Sequence, residues 1–307
     1  MKALQIDARG PLALIVATSL WMATLGNLPL WQSLADRGVL HDAAGWGLGA
    51  ALALMIAGVL VALQSLLAWR FTLKPVAIVL LIATAAGAHF MSAYSVVIDS
   101  SMLANVAQTN PREAADLLSL RLLATLLLGG LLPAWLVWRA PVHYGRWPRR
   151  LLHNALKVLA ALVLVVVALL ASFQSMSSTM RNHKPVRYLI NPLNSFYALG
   201  SLAHQANARP QGPPEQIGVG ATLAPRAAGA RPPLMLLVVG ETARSDHFSL
   251  NGYERPTNPQ LATLGVVSYR DVTSCGTNTA ASLPCMFSHL GRAGYESRER
   301  DHENLLD

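Results

Sequence analysis

The chain has 307 residues, 53% of them hydrophobic and 13% charged, with a formal net charge of +8 at pH 7. Soluble domains carry about 25% charged residues, so much of this chain is composed for lipid rather than water. The basic excess then reads as membrane topology, and no basic patch interleaved with aromatics supports a nucleic-acid partner.

Five stretches reach or approach the roughly 20 apolar residues that cross a bilayer. They are residues 10–35, 43–69, 75–98, 122–138 and 158–180. Several of Trp21, Trp31, Trp46, Trp69, Trp135 and Trp138 stand at their ends, as interfacial belts require. The first stretch ends in no small-residue cleavage site and is read as an anchor, not a removed signal peptide. His89 lies inside the third. An ionisable group there is either functional or a neutral side chain packed on another span.

The short loops set the orientation. Lys2 and Arg9 precede the first span, Arg70 and Lys74 follow the second, and Arg139, Arg146, Arg149, Arg150 and Lys157 follow the fourth. The other loops hold only Arg37, Arg112 and Arg121. The first group belongs in the cytoplasm, which puts everything after the fifth span outside it.

The loop after the third span carries Asn105, Thr109 and Glu113, spaced so that one helix face presents all three. Asn110-Pro111-Arg112-Glu113 is also a helix start, so Glu113 reads equally well as a capping residue. Beyond the fifth span, Arg181, Lys184 and Arg187 alternate with Tyr188, Leu189, Ile190, Phe196, Tyr197 and Leu199, a pattern for a segment lying in the membrane interface. Residues 207–233, rich in Pro, Gly and Ala, read as a flexible tether. The expected organisation is therefore a transmembrane domain over 1–180, an interfacial segment and linker over 181–233, and a soluble part over 234–307.

The soluble part opens on LMLLVV, residues 234–239, a pattern for a buried strand in a parallel α/β sheet. Ligands of such sheets gather beyond the carboxyl ends of strands, where Glu241 stands as a metal ligand or as an ordinary loop glutamate. About seventy residues after Pro233 are too few for a whole α/β domain, so the chain reads as truncated, closing on a helix opening at Glu303. Cys275 and Cys285 are the only cysteines. Outside the cytoplasm they suit a local disulfide; two free buried thiols are the alternative. In Cys275-Gly276-Thr277-Asn278-Thr279 a polar loop enters a helix, with Thr279 at or near the helix N-terminus, where an anion is stabilised. A threonine hydroxyl there is a nucleophile if a metal or base activates it, and otherwise a plain N-cap. His247 and His289 lack ligand-like spacing to a second His or Asp.

The stretches VVGETARSDHFSLNGYERPTNP and DVTSCGTNTAASLPCMFS, the five spans, and the loop motif of Asp99 to Met102 with Asn105, Thr109 and Glu113 resemble the lipid A phosphoethanolamine transferases. That family includes the mobile colistin-resistance enzymes and belongs to the alkaline phosphatase and sulfatase-like fold group. The resemblance implies a five-helix transmembrane domain followed by the start of an α/β sulfatase-like domain. It implies Thr279 as nucleophile, Glu241 and Thr279 as zinc ligands, a Cys275–Cys285 disulfide, and Asn105, Thr109 and Glu113 as phosphoethanolamine contacts. Phosphatidylethanolamine would be the donor and a lipid A phosphate the acceptor, conferring polymyxin resistance. The protein would be a monomer of the bacterial inner membrane, with a cytoplasmic N-terminus and a periplasmic catalytic domain. The family's other zinc ligands have no counterpart in this chain, which implies inactivity on its own. The rival readings are a phosphoglycerol or other head-group transferase, a non-catalytic membrane protein, and a transporter. Nearly charge-free spans count against the last.

Overall fold

The computed structural model describes residues 10–208, 212–222, 231, 234–240 and 243–304. The chain divides into two compact units, Met1–Asn207 and Ala208–Asp307. Lys2, Arg9, Glu241 and parts of the linker lie outside the described residues.

In the first unit, the first span is two helices. α1 (Pro11–Ala23) ends in a 3-10 turn over Leu25–Asn27, and α2 (Leu28–Asp36) restarts with Pro29 in its first turn, the place where a residue lacking an N–H fits a helix. α3 (Ala43–Leu66) is capped by Asp42, whose Oδ1 accepts from Gly45 N at 2.7 Å. α4 (Leu73–Tyr94) stops where Ser95 turns left-handed at φ 53°. Two short helices follow, α5 (Ser100–Gln108) and α6 (Pro111–Asp116). The fourth span joins α7 (Leu120–Thr125), a π-helical segment over Leu126–Leu131, and α8 (Leu132–Arg139). α9 (Trp147–Asn182) is the fifth span, followed by a 3-10 turn over Lys184–Leu189 and by α10 (Leu193–Ala208).

Five of these segments are long and apolar enough to cross a membrane, at the places the sequence predicts. α9 begins well before its apolar stretch, because the helix runs on through Arg149, Arg150 and Lys157. The basic connections between α3 and α4 and between α8 and α9 share one face of the bundle. Lys74 Nζ donates to Trp138 O at 2.8 Å, and the Arg150 guanidinium lies 5.5 Å from the centre of the Trp69 ring. Arg150 also lies over Tyr144, whose hydroxyl pKa is raised by burial against the opposing pull of that cation.

The bundle core is apolar, with Met22, Leu30, Leu60 and Leu81 fully buried. Two polar networks cross it. Thr18 Oγ1 donates to Gln64 Oε1 at 3.0 Å, and Gln64 Nε2 donates to Ser19 Oγ at 2.9 Å, joining α1 to α3. The second network closes the break in the first span. Asn27 Nδ2 donates to Met22 O at 2.7 Å and also to Asn191 O, while Asn191 N donates to Asn27 Oδ1 at 2.8 Å. Asn191 Nδ2 donates to Thr84 O at 2.7 Å and Gly26 O at 3.1 Å. Asn191 fits only because position 87 is glycine; a Cβ there would stand 2.8 Å from Asn191 Oδ1. In the fourth span, Trp21 Nε1 donates to Gly129 O at 3.1 Å, pairing a carbonyl of the π segment.

The second unit departs from the sequence reading in two places. No strand is present among its described residues, and residues 234–239 lie in irregular backbone with their side chains 44–89% exposed. A strand exists only through hydrogen bonds to a partner, and no described segment supplies one to this run. Part of the expected tether is paired: Glu215 N donates to Asp301 O at 2.8 Å, and Glu303 N donates to Glu215 O at 3.0 Å. The bridge pairs Glu215 with His302, and the helix opening expected from Glu303 falls mostly on residues 305–307, outside the described residues. The unit otherwise consists of 3-10 turns at Ser245–His247 and Ser249–Asn251 and the short helices α11 (Pro259–Thr263), α12 (Thr279–Met286) and α13 (Gly291–Ser297).

The two polar networks differ in how much they hold. Asn27→Ala strands two buried carbonyls and one buried N–H and should cost about 2–4 kcal/mol. Gln64→Leu removes an interhelical pair of a kind that averages about 0.6 kcal/mol in membranes. Thermal unfolding in detergent should show a clearly lower midpoint for Asn27→Ala than for Gln64→Leu; equal midpoints would contradict this ranking.

Candidate active site

In the second unit, the loop before α12 is held at both ends. A disulfide joins Cys275 to Cys285 in the last turn of α12, with a Cα–Cα distance of 6.3 Å. The helix is capped by Asn278, whose backbone is extended (φ −128°, ψ 157°) and whose Oδ1 accepts from Ala281 N at 2.8 Å. Thr279 is thus the first residue of the helix and exposed, and the N-cap role belongs to its neighbour. The hydroxyl stands at the positive end of the helix dipole, where negative charge is favoured. Gly276 packs against the same turn so closely that a Cβ would lie 2.6 Å from Ala281 Cβ, so the loop tolerates no side chain there.

A cavity of about 380 Å³ adjoins this loop, lined in part by Ser245, Asn251, Ser268, Ser274, Cys275 and Ser282. Asn251 organises it: its Nδ2 donates to Ser245 Oγ at 2.8 Å, and Ser268 Oγ donates to its Oδ1 at 2.7 Å. Sequence reasoning did not single out these residues, because isolated Ser and Asn carry no spacing signal. Beside them, the Arg244 guanidinium grips Asp246 through two bonds, Nη2–Oδ2 at 2.6 Å and Nε–Oδ1 at 3.0 Å, and holds its carboxyl pKa down at about 2. His247 Nδ1 lies 3.0 Å from Asp246 Oδ1 and adds to the same effect. His247 thus has an acidic partner at the adjacent position, while the His289 ring meets His302 edge-on at 5.1 Å.

Glu241 lies outside the described residues, and no group of three or more His, Cys, Asp or Glu gathers among the described ones. Catalytic zinc takes three protein ligands, so the described donors do not by themselves fit the ion and no chemical step is derived through it.

In the first unit, the expected single helix face is broken. Asn105 lies in α5, Thr109 is that helix's C-cap with an extended backbone (ψ 127°), and Glu113 is the third residue of α6. Pro111 cannot continue α5, and Asn110 Oδ1 restarts the chain by accepting from Arg112 N at 3.0 Å. Asn105 and Thr109 stay together on the α5 side of the break: Thr109 Oγ1 donates to Asn105 O at 2.8 Å. Asp99 caps α5 by accepting from Met102 N at 2.8 Å. His89 is buried, its ring edge-on to Phe90 and Tyr94.

This architecture defines a multi-pass membrane protein that carries the opening part of a sulfatase-type domain. The model of the phosphoethanolamine transferase EptA/EptB family matches residues 55–206, and the sulfatase model matches residues 233–307. The phosphatidylethanolamine transferases Mcr-2 and Mcr-1 of Escherichia coli are 37% and 36% identical to it, each over 97% of this chain and 56% of their own length. The integral membrane lipooligosaccharide phosphoethanolamine transferase A (EptA) from Neisseria meningitidis superposes with a TM-score of 0.86 at 28% identity, over 97% of this chain and 56% of its own. The chain belongs with the phosphoethanolamine transferases of the EptA/EptB family. It spans about half the length of the relatives it matches.

The Asp246 pair has a pH consequence. Its carboxyl pKa is lowered from the usual value of 3.8 to about 2, so whatever the pair contributes is present above about pH 4 and fades as the pH falls through about 2. A carboxyl 13C titration should place Asp246 near 2 in the native chain and nearer the ordinary value in Arg244→Gln; an ordinary value in both would contradict the pairing.

Proposed function

We propose that the full-length protein transfers phosphoethanolamine from phosphatidylethanolamine to a lipid A phosphate, with Thr279 as the covalent carrier. The observation that carries this reading is the placement of Thr279: exposed, first in its helix, relieved of capping duty by Asn278, and fixed by the Cys275–Cys285 bridge. A nucleophile needs this kind of rigid seat. The names of the matched relatives, phosphatidylethanolamine and phosphoethanolamine transferases, support the same group and donor.

In the first half-reaction, Thr279 Oγ attacks the donor phosphorus. The Thr279 O–P bond forms, the bond from phosphorus to the diacylglycerol oxygen breaks, and the threonine proton ends on diacylglycerol. In the second, an oxygen of the lipid A phosphate attacks the same phosphorus, the Thr279 O–P bond breaks, and Thr279 recovers a proton. The helix dipole stabilises negative charge at Thr279 in both halves. Asn105, Thr109 and Glu113 are proposed as head-group contacts. Masking a phosphate charge on lipid A would weaken its attraction for cationic peptides such as polymyxins.

Zinc is the proposed cofactor, with Glu241 and Thr279 among its ligands; it would supply Lewis-acid activation of the hydroxyl and phosphoryl oxygens. Two ligands are fewer than the ion needs, so residues 1–307 alone are proposed not to turn over. The protein is placed as a monomer in a bacterial inner membrane, with its N-terminus in the cytoplasm and Thr279 in the periplasm. The single face shared by the Lys74 and Arg150 connections supports that orientation. Residues 181–233 are proposed as the interfacial segment and linker between the domains at 1–180 and 234–307.

Full-length Thr279→Ala should lose transfer by at least about a thousandfold, read by mass spectrometry of lipid A from expressing cells. Near wild-type lipid A modification in that variant would overturn the assignment.

A further inference from the structure

The membrane unit holds a cleft that neither Asn105 nor Thr109 lines. It has a volume of about 510 Å³ and is bounded by α4, by the kinked first span and by the fourth span at α7 and the π segment. Its walls include Leu25, Leu28 and Leu128, which are 49%, 47% and 65% exposed, so they face the lipid that surrounds the bundle. Polar side chains also line it, among them Gln32, Ser92, Thr125 and two that can carry a positive charge. Arg121, the second residue of α7, is exposed and forms no ion pair with any carboxylate among the described residues. His89 is only 3% exposed, and its ring nitrogens have no hydrogen-bond partner among the described residues.

An imidazole with no protein hydrogen-bond partner is satisfied by a polar ligand group in the cleft it lines. An unpaired guanidinium beside apolar walls at the end of a span attracts an anion, and it binds phosphate best because two N–H groups meet two oxygens. The cleft is apolar on one side and carries these donors on the other. That is the shape of one lipid with a phosphate at its polar end. The π segment contributes by widening the helix next to the cleft, a distortion common at functional sites. An interfacial arginine that merely reaches toward water would not need a cavity with a partnerless buried histidine beside it.

We propose that this cleft seats one phospholipid molecule, with its phosphodiester on Arg121 and His89 and an acyl chain along Leu25, Leu28 and Leu128. The site lies at the end of the fourth span that follows α6, on the membrane side carrying α5 and α6, and is separate from Asn105 and Thr109. It does not depend on Thr279 chemistry, so failure of one proposal leaves the other standing.

The experiment is native mass spectrometry of the full 307-residue chain in mild detergent. It is titrated with dioleoyl phosphatidylglycerol, with dioleoylglycerol (the same chains without phosphate), and with inorganic phosphate. The native chain should retain one phosphatidylglycerol. Arg121→Gln should weaken that adduct about tenfold, as loss of a charge-assisted bond implies, Arg121→Lys should fall between Gln and wild type because it keeps the charge but loses the two-pronged geometry, and Arg112→Gln should stay near wild type. Dioleoylglycerol should bind far more weakly, and millimolar inorganic phosphate should not displace the lipid. The proposal is overturned if Arg121→Gln binds like wild type, or if Arg112→Gln weakens binding as much, which would mean diffuse surface charge. Equal retention of dioleoylglycerol, meaning purely apolar seating, or displacement by inorganic phosphate, meaning an anion site without lipid preference, would overturn it as well.

Discussion

The membrane unit depends on the closure of the gap in its first span by two asparagines. In hydrocarbon, a helix that breaks leaves carbonyls and amides with nothing to pair with, at several kcal/mol each. The break at Leu25–Asn27 survives because the Asn27 and Asn191 amides take up the carbonyls of Met22, Gly26 and Thr84. The two elements need each other: the break makes room for the segment after α9, and that segment supplies the missing donors. Three residues on, Asn194 Nδ2 donates to Ile98 O at 2.7 Å, which ties the same segment to the strap leading into α5. The strap that leads toward Asn105 and Thr109 is therefore tied to the first span through side-chain amide contacts.

In the second unit, rigidity comes from covalent and capping constraints, because little apolar surface is buried there. The disulfide fixes the loop, Gly276 lets it close against Ala281, and Asn278 fixes the helix start. Each acts within a few residues of Thr279. A residue proposed to present one oxygen to two successive lipids gains from such local bracing, since its seat does not rely on a large core.

The spans were legible because composition alone decides which segments dissolve in lipid, and the five apolar runs became helices where they lie. The break in the first span had a signal that went unread: Asn27 and Pro29 interrupt an otherwise apolar run. Asn191 had none, because its partners lie more than a hundred residues away in sequence. The face shared by Asn105, Thr109 and Glu113 failed as a continuous helix because Pro111 outweighs periodicity. The strand at residues 234–239 was a sound local pattern whose outcome depends on partners that local sequence does not contain. At Thr279 the choice between cap and nucleophile turned on a shift of one residue, too fine for sequence to settle; the geometry gives the cap to Asn278.

The central claim is that residue 279 becomes esterified during turnover. Full-length protein incubated with phosphatidylethanolamine and no acceptor, then acid-quenched and digested, should yield a peptide with one phosphoethanolamine group on Thr279 and an equal amount of free diacylglycerol. Diacylglycerol release with position 279 unmodified, or with the group on another residue, would contradict the account.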